Sequence, residues 1–225
     1  MGLLAAKKSR AEVYSPVRPL QRQPREFLAT GIPSVDQLVG GFPRGAISEI
    51  IGPESSGRTT LLYQLLQAAT SNREICAYVD LADSFDPRTA SWAGVALSQL
   101  LWVRCHNNLE HALKAVDYLL HGGGFGVVAL DIGRRRREQR LASSYWYRFR
   151  QPIEHTSTIL VVIASETLAR QCAALRLEMR SARPRWQGPS NALLLRGARI
   201  EAIPQKPFIA GSTARIEAQA LTLGD

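Results

Sequence analysis

From residue 27 onward the apolar positions fall into two kinds of run. Residues 46–51 form a short β-rich stretch ending at Gly52, and residues 75–81 form another. Residues 125–132 and 159–164 are apolar and β-branched with no polar alternation, the pattern of strands covered on both faces in a parallel sheet. Residues 59–70 place Leu61, Leu62, Leu65, Leu66 and Ala69 at helical spacing, and residues 109–120 do the same with Leu109, Leu113, Val116 and Leu120. Leu168, Leu175 and Met179 predict a further amphipathic helix. Residues 192–203 and 207–221 predict late antiparallel strands with turns at Pro204 and Gly211. Strands alternating with helices predict an α/β fold: a mostly parallel twisted sheet flanked by helices, with antiparallel C-terminal strands. Residues 1–26 are polar, basic and proline-bearing and read as a flexible arm before one domain spanning residues 27–225.

With 225 residues, 45% apolar and 21% charged, the chain has enough material for one α/β core. No stretch approaches the roughly 18 apolar residues of a membrane span. Lys7, Lys8 and Arg10 are followed by no apolar signal core, so a cytoplasmic protein without membrane contact is expected. Cys76, Cys105 and Cys172 are too scattered for a zinc or disulfide framework and read as reduced, buried thiols. A net charge of +9 favours a polyanionic partner such as nucleic acid, against a merely solvated basic surface.

Candidate chemistry begins at Gly52-Pro53-Glu54-Ser55-Ser56-Gly57-Arg58-Thr59-Thr60, between a predicted strand and a predicted helix. This is the context of a phosphate-binding loop: the glycines permit the turn, backbone N–H groups face the phosphate, and the helix adds its positive end. Thr59 stands where such a loop supplies a Mg²⁺ ligand, and Asp131, ending the run Val127-Val128-Ala129-Leu130, suits a carboxylate holding Mg²⁺ through water. Arg58 occupies the usual lysine position; it keeps the charge but is planar and bulkier, which favours binding over fast phosphoryl transfer. The alternative is a glycine-rich turn with no ligand.

The phosphate-loop residues resemble the bacterial RecA recombinase family, differing only at Arg58. Thr30-Gly31-Ile32-Pro33-Ser34-Val35-Asp36, Gly40-Gly41-Phe42-Pro43-Arg44-Gly45, Tyr78-Val79-Asp80 and Phe85-Asp86-Pro87 extend the resemblance over most of residues 28–221. It implies a RecA-like P-loop NTPase core that binds ATP and Mg²⁺. Asn191-Ala192-Leu193 resembles the point of re-entry into the sheet after the second DNA-binding loop. The departures matter equally. The activating glutamate of the family falls at Ala82; Asp83 is adjacent, but on a strand it would face the other way. The γ-phosphate-sensing glutamine falls at Ser165, after Ala164, and the adenine-stacking aromatic falls near Thr89. The first DNA-binding loop is curtailed. A RecA fold with so depleted a site is similar to the short accessory proteins of bacterial mutagenesis cassettes, the ImuA group.

Two basic segments are candidate DNA contacts. Arg134, Arg135, Arg136, Arg137 and Arg140 precede Tyr145-Trp146-Tyr147-Arg148-Phe149-Arg150, where arginines suit phosphates and aromatics suit unpaired bases. A helix with its aromatics packed inward fits the same spacing. Arg183-Pro184-Arg185-Trp186 reads as a mobile binding loop. The expected function is therefore a RecA-like ATP-binding accessory factor in DNA repair, the SOS-type damage response or translesion mutagenesis. It would be a degenerate ATPase, with single-stranded DNA and a RecA-like or lesion-bypass polymerase protein as partners. Two alternatives stay open: an active DNA-dependent recombinase using Asp83, and a nucleotide-free interaction module.

Overall fold

The structure is a computed structural model and describes residues 26–133, 141–189, 191–209 and 211–219. The basic arm therefore lies outside the described residues except for Glu26. Strand β1 (Phe27–Leu28) pairs antiparallel with β2 (Phe42–Pro43), and helix α1 (Pro33–Val39) lies between them. Proline opens α1, and Gly40, at φ 75°, ends it in the left-handed conformation that glycine adopts without strain. The Asp36 carboxylate accepts from the Thr30 N–H and hydroxyl and from the Gly31 N–H, which explains the Thr30-to-Asp36 spacing.

The rest of the chain builds one sheet. Strand β3 (Ala46–Ile51), helix α2 (Arg58–Ser71), β4 (Cys76–Asp80), α3 (Pro87–Trp92), β5 (Leu100–Arg104), α4 (Leu109–Gly122), β6 (Val127–Gly133), α5 (Ser144–Ile153), β7 (Ile159–Ala164), β8 (Ala173–Gln187), β9 (Leu194–Lys206) and β10 (Ala214–Gln219) follow in order. Across the sheet they run β10-β9-β8-β3-β7-β6-β4-β5. The six strands from β8 to β5 are mutually parallel; β9 and β10 add antiparallel at one edge. This is the α/β arrangement the hydrophobic pattern predicts. Strands β4 and β7 are buried at every position, because side chains leave both faces into apolar layers. On one face Leu61, Leu62, Leu65 and Leu66 of α2 meet Tyr78, Val161 and Leu177. On the other, Leu113 and Val116 of α4 and Trp146 and Phe149 of α5 meet Val79, Leu130 and Val162.

Several sequence expectations need correction. Residues 168–179 are not a helix. A 3-10 turn at Arg170–Cys172 leads into β8, where buried Leu175, Leu177 and Met179 alternate with more exposed Arg176, Glu178 and Arg180. That period of two suits the strand; Leu175 and Met179, four apart, fit both periods. Arg183, Arg185 and Trp186 consequently sit on β8, in register with Arg199, Gly197 and Leu195 of β9, and are not a loop. The chain has re-entered the sheet by Ala173, so Asn191-Ala192-Leu193 belongs to the β8–β9 hairpin connection. Pro204 makes no turn either. It lies inside β9 opposite Leu177, beside a register shift, where a missing N–H is tolerated. Strand β5 carries no alternation and was not foreseen.

One buried charge ties the layers together. Glu49 on β3 is fully buried; its carboxylate accepts the Leu168 and Ala169 N–H groups at 2.7 and 2.6 Å and pairs with Arg176 of β8 at 2.6 Å. Arg176 also donates to the Arg170 carbonyl, and Lys206 to the Gln171 carbonyl.

Candidate nucleotide site at the carboxyl edge of the sheet

Parallel strands all end on one edge, and there the loops after β3, β4, β6 and β7 converge. The loop after β3 is fixed by close approach. A Cβ on Gly52, at φ 148°, would lie 2.3 Å from the Met179 carbonyl oxygen of β8 and 2.9 Å from Ser56 Oγ. A Cβ on Gly57, at φ 87°, would lie 2.4 Å from Ile200 Cδ1 of β9. Ser55 also takes a positive φ, 58°. The glycines thus let the loop fold back tightly over β8 and β9.

Helix α2 starts at Arg58, and its first ladder bond runs from Leu61 N–H to the Gly57 carbonyl. The N–H groups of Arg58, Thr59 and Thr60 therefore point out of the helix start without intrahelical acceptors. Pro53, Glu54, Ser55, Thr59 and Thr60 are exposed. Ser56 Oγ and Arg58 Nη1 are buried and have no hydrogen-bond partner. Leaving such donors unsatisfied costs about 1–3 kcal/mol each, which an anion placed against them would recover. Free N–H groups, a helix N-terminus and two orphaned donors in one cradle fit a polyphosphate.

Asp131 of β6 is 5% exposed and lies within electrostatic reach of Arg58. Tyr78 Oη donates to its Oδ2 at 2.6 Å and the Gly133 N–H to its Oδ1 at 2.8 Å. Burial pushes the Asp131 carboxyl above the usual carboxylate range, while the Tyr78 and Gly133 hydrogen bonds and the charge of Arg58 pull it back part of the way. Burial, with Asp131 as neighbour, drives the Tyr78 hydroxyl well up, keeping it a neutral donor. Asp80 is also fully buried; it accepts from the Ser84 and Phe85 N–H groups and from Trp102 Nε1, and so sets the turn after β4.

That turn corrects the reading of Asp83. Strand β4 stops at Asp80, and residues 81–83 bend, with Asp83 at φ 55°. Alternation of strand faces thus has no bearing on it. The Asp83 carboxylate turns to Arg104, 3.2 Å, and His106 Nδ1, 2.7 Å, beyond β5. Partial desolvation raises its pKa, but the hydrogen bonds from Arg104 and His106 outweigh this and hold it below the usual range. Ala82 is the residue beside the end of β6: a Cβ on Gly133 would lie 4.0 Å from Ala82 Cβ and 3.8 Å from Asp131 Oδ1.

Beside the cradle, and sharing Thr60 with it, opens a cleft of about 720 Å³ between α1, α2, α3 and β10. Thr60, Tyr63, Thr89, Trp92, Arg215 and Ile216 line it. Trp92 is 47% exposed and stands one helical turn beyond Thr89. Its ring is an aromatic face on the cleft wall at a position three residues from Thr89, a spacing that puts both on one side of the helix and was readable in the sequence.

The candidate DNA-contact residues are dispersed. Arg134, Arg135, Arg136 and Arg137 lie outside the described residues. On α5, Arg148 pairs with Asp117 of α4, and Arg150 with Glu154 at 3.0 Å. Trp146 and Phe149 pack inward, whereas Tyr147 is exposed. On β8, Arg183 and Trp186 are exposed, and Arg185 reaches Glu217 at 3.1 Å. No helix of the described residues is long and apolar enough to cross a membrane.

Comparison with known proteins bears on the family and the fold. RecA proteins of Borrelia hermsii (strain HS1 / DAH) and Borrelia turicatae (strain 91E135) are each 38% identical to this chain over 108 residues. Those alignments take in 47% of this chain and only 30% of the relatives' length. A crystal structure of the RadB recombinase superposes with a TM-score of 0.63 at 21% identity, covering 85% of this chain and 96% of that one, so the fold is shared. A sequence model of the RecA N-terminal domain matches residues 20–133, just over half of the chain, and the chain belongs to that family.

Proposed function

We propose that this chain is an ATP-binding RecA-family protein acting in DNA repair or recombination, as an accessory factor with slow ATP hydrolysis. The observation that carries the reading is the pair of buried, unpartnered donors, Ser56 Oγ and Arg58 Nη1, inside the loop from Gly52 to Thr60. Bound MgATP would bring a dense anionic charge and a metal for which the Thr59 hydroxyl and, through water, Asp131 would be ligands. Among the described residues no three His, Cys, Asp or Glu side chains form a metal cage, so the ion would arrive with the phosphates. The base would enter the cleft beside Thr60 and stack on Trp92.

Slow turnover follows from what flanks the cradle. Ala82 presents a methyl group where an attacking water needs a carboxylate, and Asp83 is engaged by Arg104 and His106. Ala164 and Ser165 at the end of β7 offer no amide to sense the γ-phosphate. A missing general base and a misfitted loop cation each lower phosphoryl transfer by on the order of 10²-fold. The net charge of +9, the arginines at 134–137 and exposed Tyr147 support single-stranded DNA as a ligand. A role beside a lesion-bypass polymerase in SOS-type mutagenesis, as in the ImuA group, suits a member of the family that binds nucleotide and barely cleaves it.

The deciding experiment measures ATP binding by calorimetry and ATP turnover with and without single-stranded DNA. Micromolar-range binding with little stimulated turnover is expected. Fast DNA-stimulated hydrolysis, abolished in Asp83→Ala, would replace the accessory reading with an active recombinase. No binding of ATP with or without Mg²⁺ would leave an interaction module.

A further inference from the structure

The β8–β9 hairpin outruns the sheet that supports it. Strand β3 accompanies β8 only as far as Glu178, opposite Ile51, while β8 continues to Gln187. Strand β10 accompanies β9 only from Gly197. Among the described residues, the last pairs, Trp186 with Leu195 and Gln187 with Leu194, have no further strand beside them. Trp186, Leu193, Leu194 and Leu195 at this tip are 57%, 52%, 63% and 46% exposed. A two-stranded ribbon gains little from holding four large apolar side chains in water; such a cluster marks a contact surface.

Its surroundings specify the partner. Residues 183–199 contain four arginines, Arg183, Arg185, Arg196 and Arg199, with no lysine and no carboxylate. Glu217 of β10 holds Arg185 and Arg199 at 3.1 and 2.8 Å, and Gln187 holds Arg196 at 2.8 Å, so three of the four are positioned in advance. Tryptophan with arginine and without lysine is the composition of protein interfaces. A second copy of this chain would bring like charge against like. Single-stranded DNA would gain one stacking platform and leave three leucines unused. Pro184 lies within β8 and supplies no N–H to a ladder, which makes this stretch a poor template for an added strand and leaves the contact to side chains.

We propose that the tip of the β8–β9 ribbon binds an acidic amphipathic helix of another protein: leucine-type residues cover Trp186 and Leu195, and carboxylates meet the arginines. This surface is independent of the nucleotide cradle. A synthetic 18-residue helix with a leucine stripe flanked by glutamates serves as probe, read by calorimetry and by the emission of Trp186, isolated by difference against Trp186→Phe. Binding is expected, with a blue shift. Leu195→Ser and Trp186→Ala, each with an unchanged melting curve, should weaken it tenfold or more, and Arg183→Glu should weaken it and flatten its salt dependence. The proposal is overturned if polyglutamate of equal charge binds as tightly, or if the helix fails to bind. It is equally overturned if a dT oligomer or phosphatidylserine vesicles shift Trp186 where the helix does not, or if the free protein sediments as a dimer through this surface.

Discussion

Arg58→Met separates what the phosphate loop costs the free protein from what it gains with a ligand. Methionine keeps much of the apolar stem and removes the guanidinium. The buried Nη1 has no partner, so its loss relieves about 1–3 kcal/mol of unsatisfied burial. Part of that relief is returned, because Arg58 pulls the Asp131 carboxyl downward and its removal lets burial push that group further up. The free variant should therefore melt no lower than the parent and at most about 12 °C higher, taking 2–4 °C per kcal/mol for a domain of this size. ATP affinity should move oppositely. A charge-assisted hydrogen bond is worth about 1.5–3 kcal/mol, so the Kd should rise roughly 10- to 150-fold. Differential scanning calorimetry and titration with MgATP read the two halves. A melting point several degrees lower would show that Nη1 has a partner in the free protein. An unchanged Kd would show that the loop does not hold phosphate.

Three further predictions follow from the same site. Gly52→Ala should cost about 2–4 kcal/mol in urea denaturation, because its Cβ meets the Met179 carbonyl. Gly124→Ala, also at positive φ but with nothing within 4 Å, should cost about 1 kcal/mol; equal losses would mean the loop is not pressed against β8. Asp131 binds its proton more tightly folded than unfolded, so its contribution favours folding at low pH and is lost as pH rises through its raised pKa. Asp131→Asn should accordingly melt above the parent at pH 7.5, with the advantage vanishing below about pH 4; a deficit at pH 7.5 refutes the burial argument. Trp92→Ala should weaken ATP about 5- to 150-fold, the range of one base stack, while leaving tripolyphosphate affinity unchanged. Equal weakening of both ligands would mean that Trp92 shapes the phosphate loop rather than receives the base.

The hydrophobic pattern carried most of the sheet, because β3, β4, β6 and β7 are buried on both faces and β6 and β7 leave apolar runs with no polar alternation. It failed where one spacing serves two periods, as with Leu175 and Met179, and where an edge strand such as β5 is half exposed. The phosphate loop was legible because glycine spacing and a following helix are local properties. The partner of Asp131 was not, since Tyr78 reaches it from a neighbouring strand 53 residues away in sequence. Asp83 was misplaced for a related reason. Whether a residue after a strand continues its alternation depends on Asp80, whose carboxylate folds the chain back onto Ser84 and Phe85.

The buried carboxylate of Glu49 has a consequence for signalling. The connection between β7 and β8 begins where the chemistry at the end of β7 could be felt, and it leads toward the antiparallel edge. Two of its backbone amides are clasped by Glu49, its Arg170 carbonyl is held by Arg176, and its Gln171 carbonyl by Lys206. Releasing it would take two N–H donors from a fully buried carboxylate and leave it only Arg176, at about 1.5–3 kcal/mol for each hydrogen bond to a charged group. A connection latched that firmly is a poor relay, so occupancy of the cradle reaches the antiparallel edge by the shorter route, through the loop glycines pressed against Met179 of β8 and Ile200 of β9.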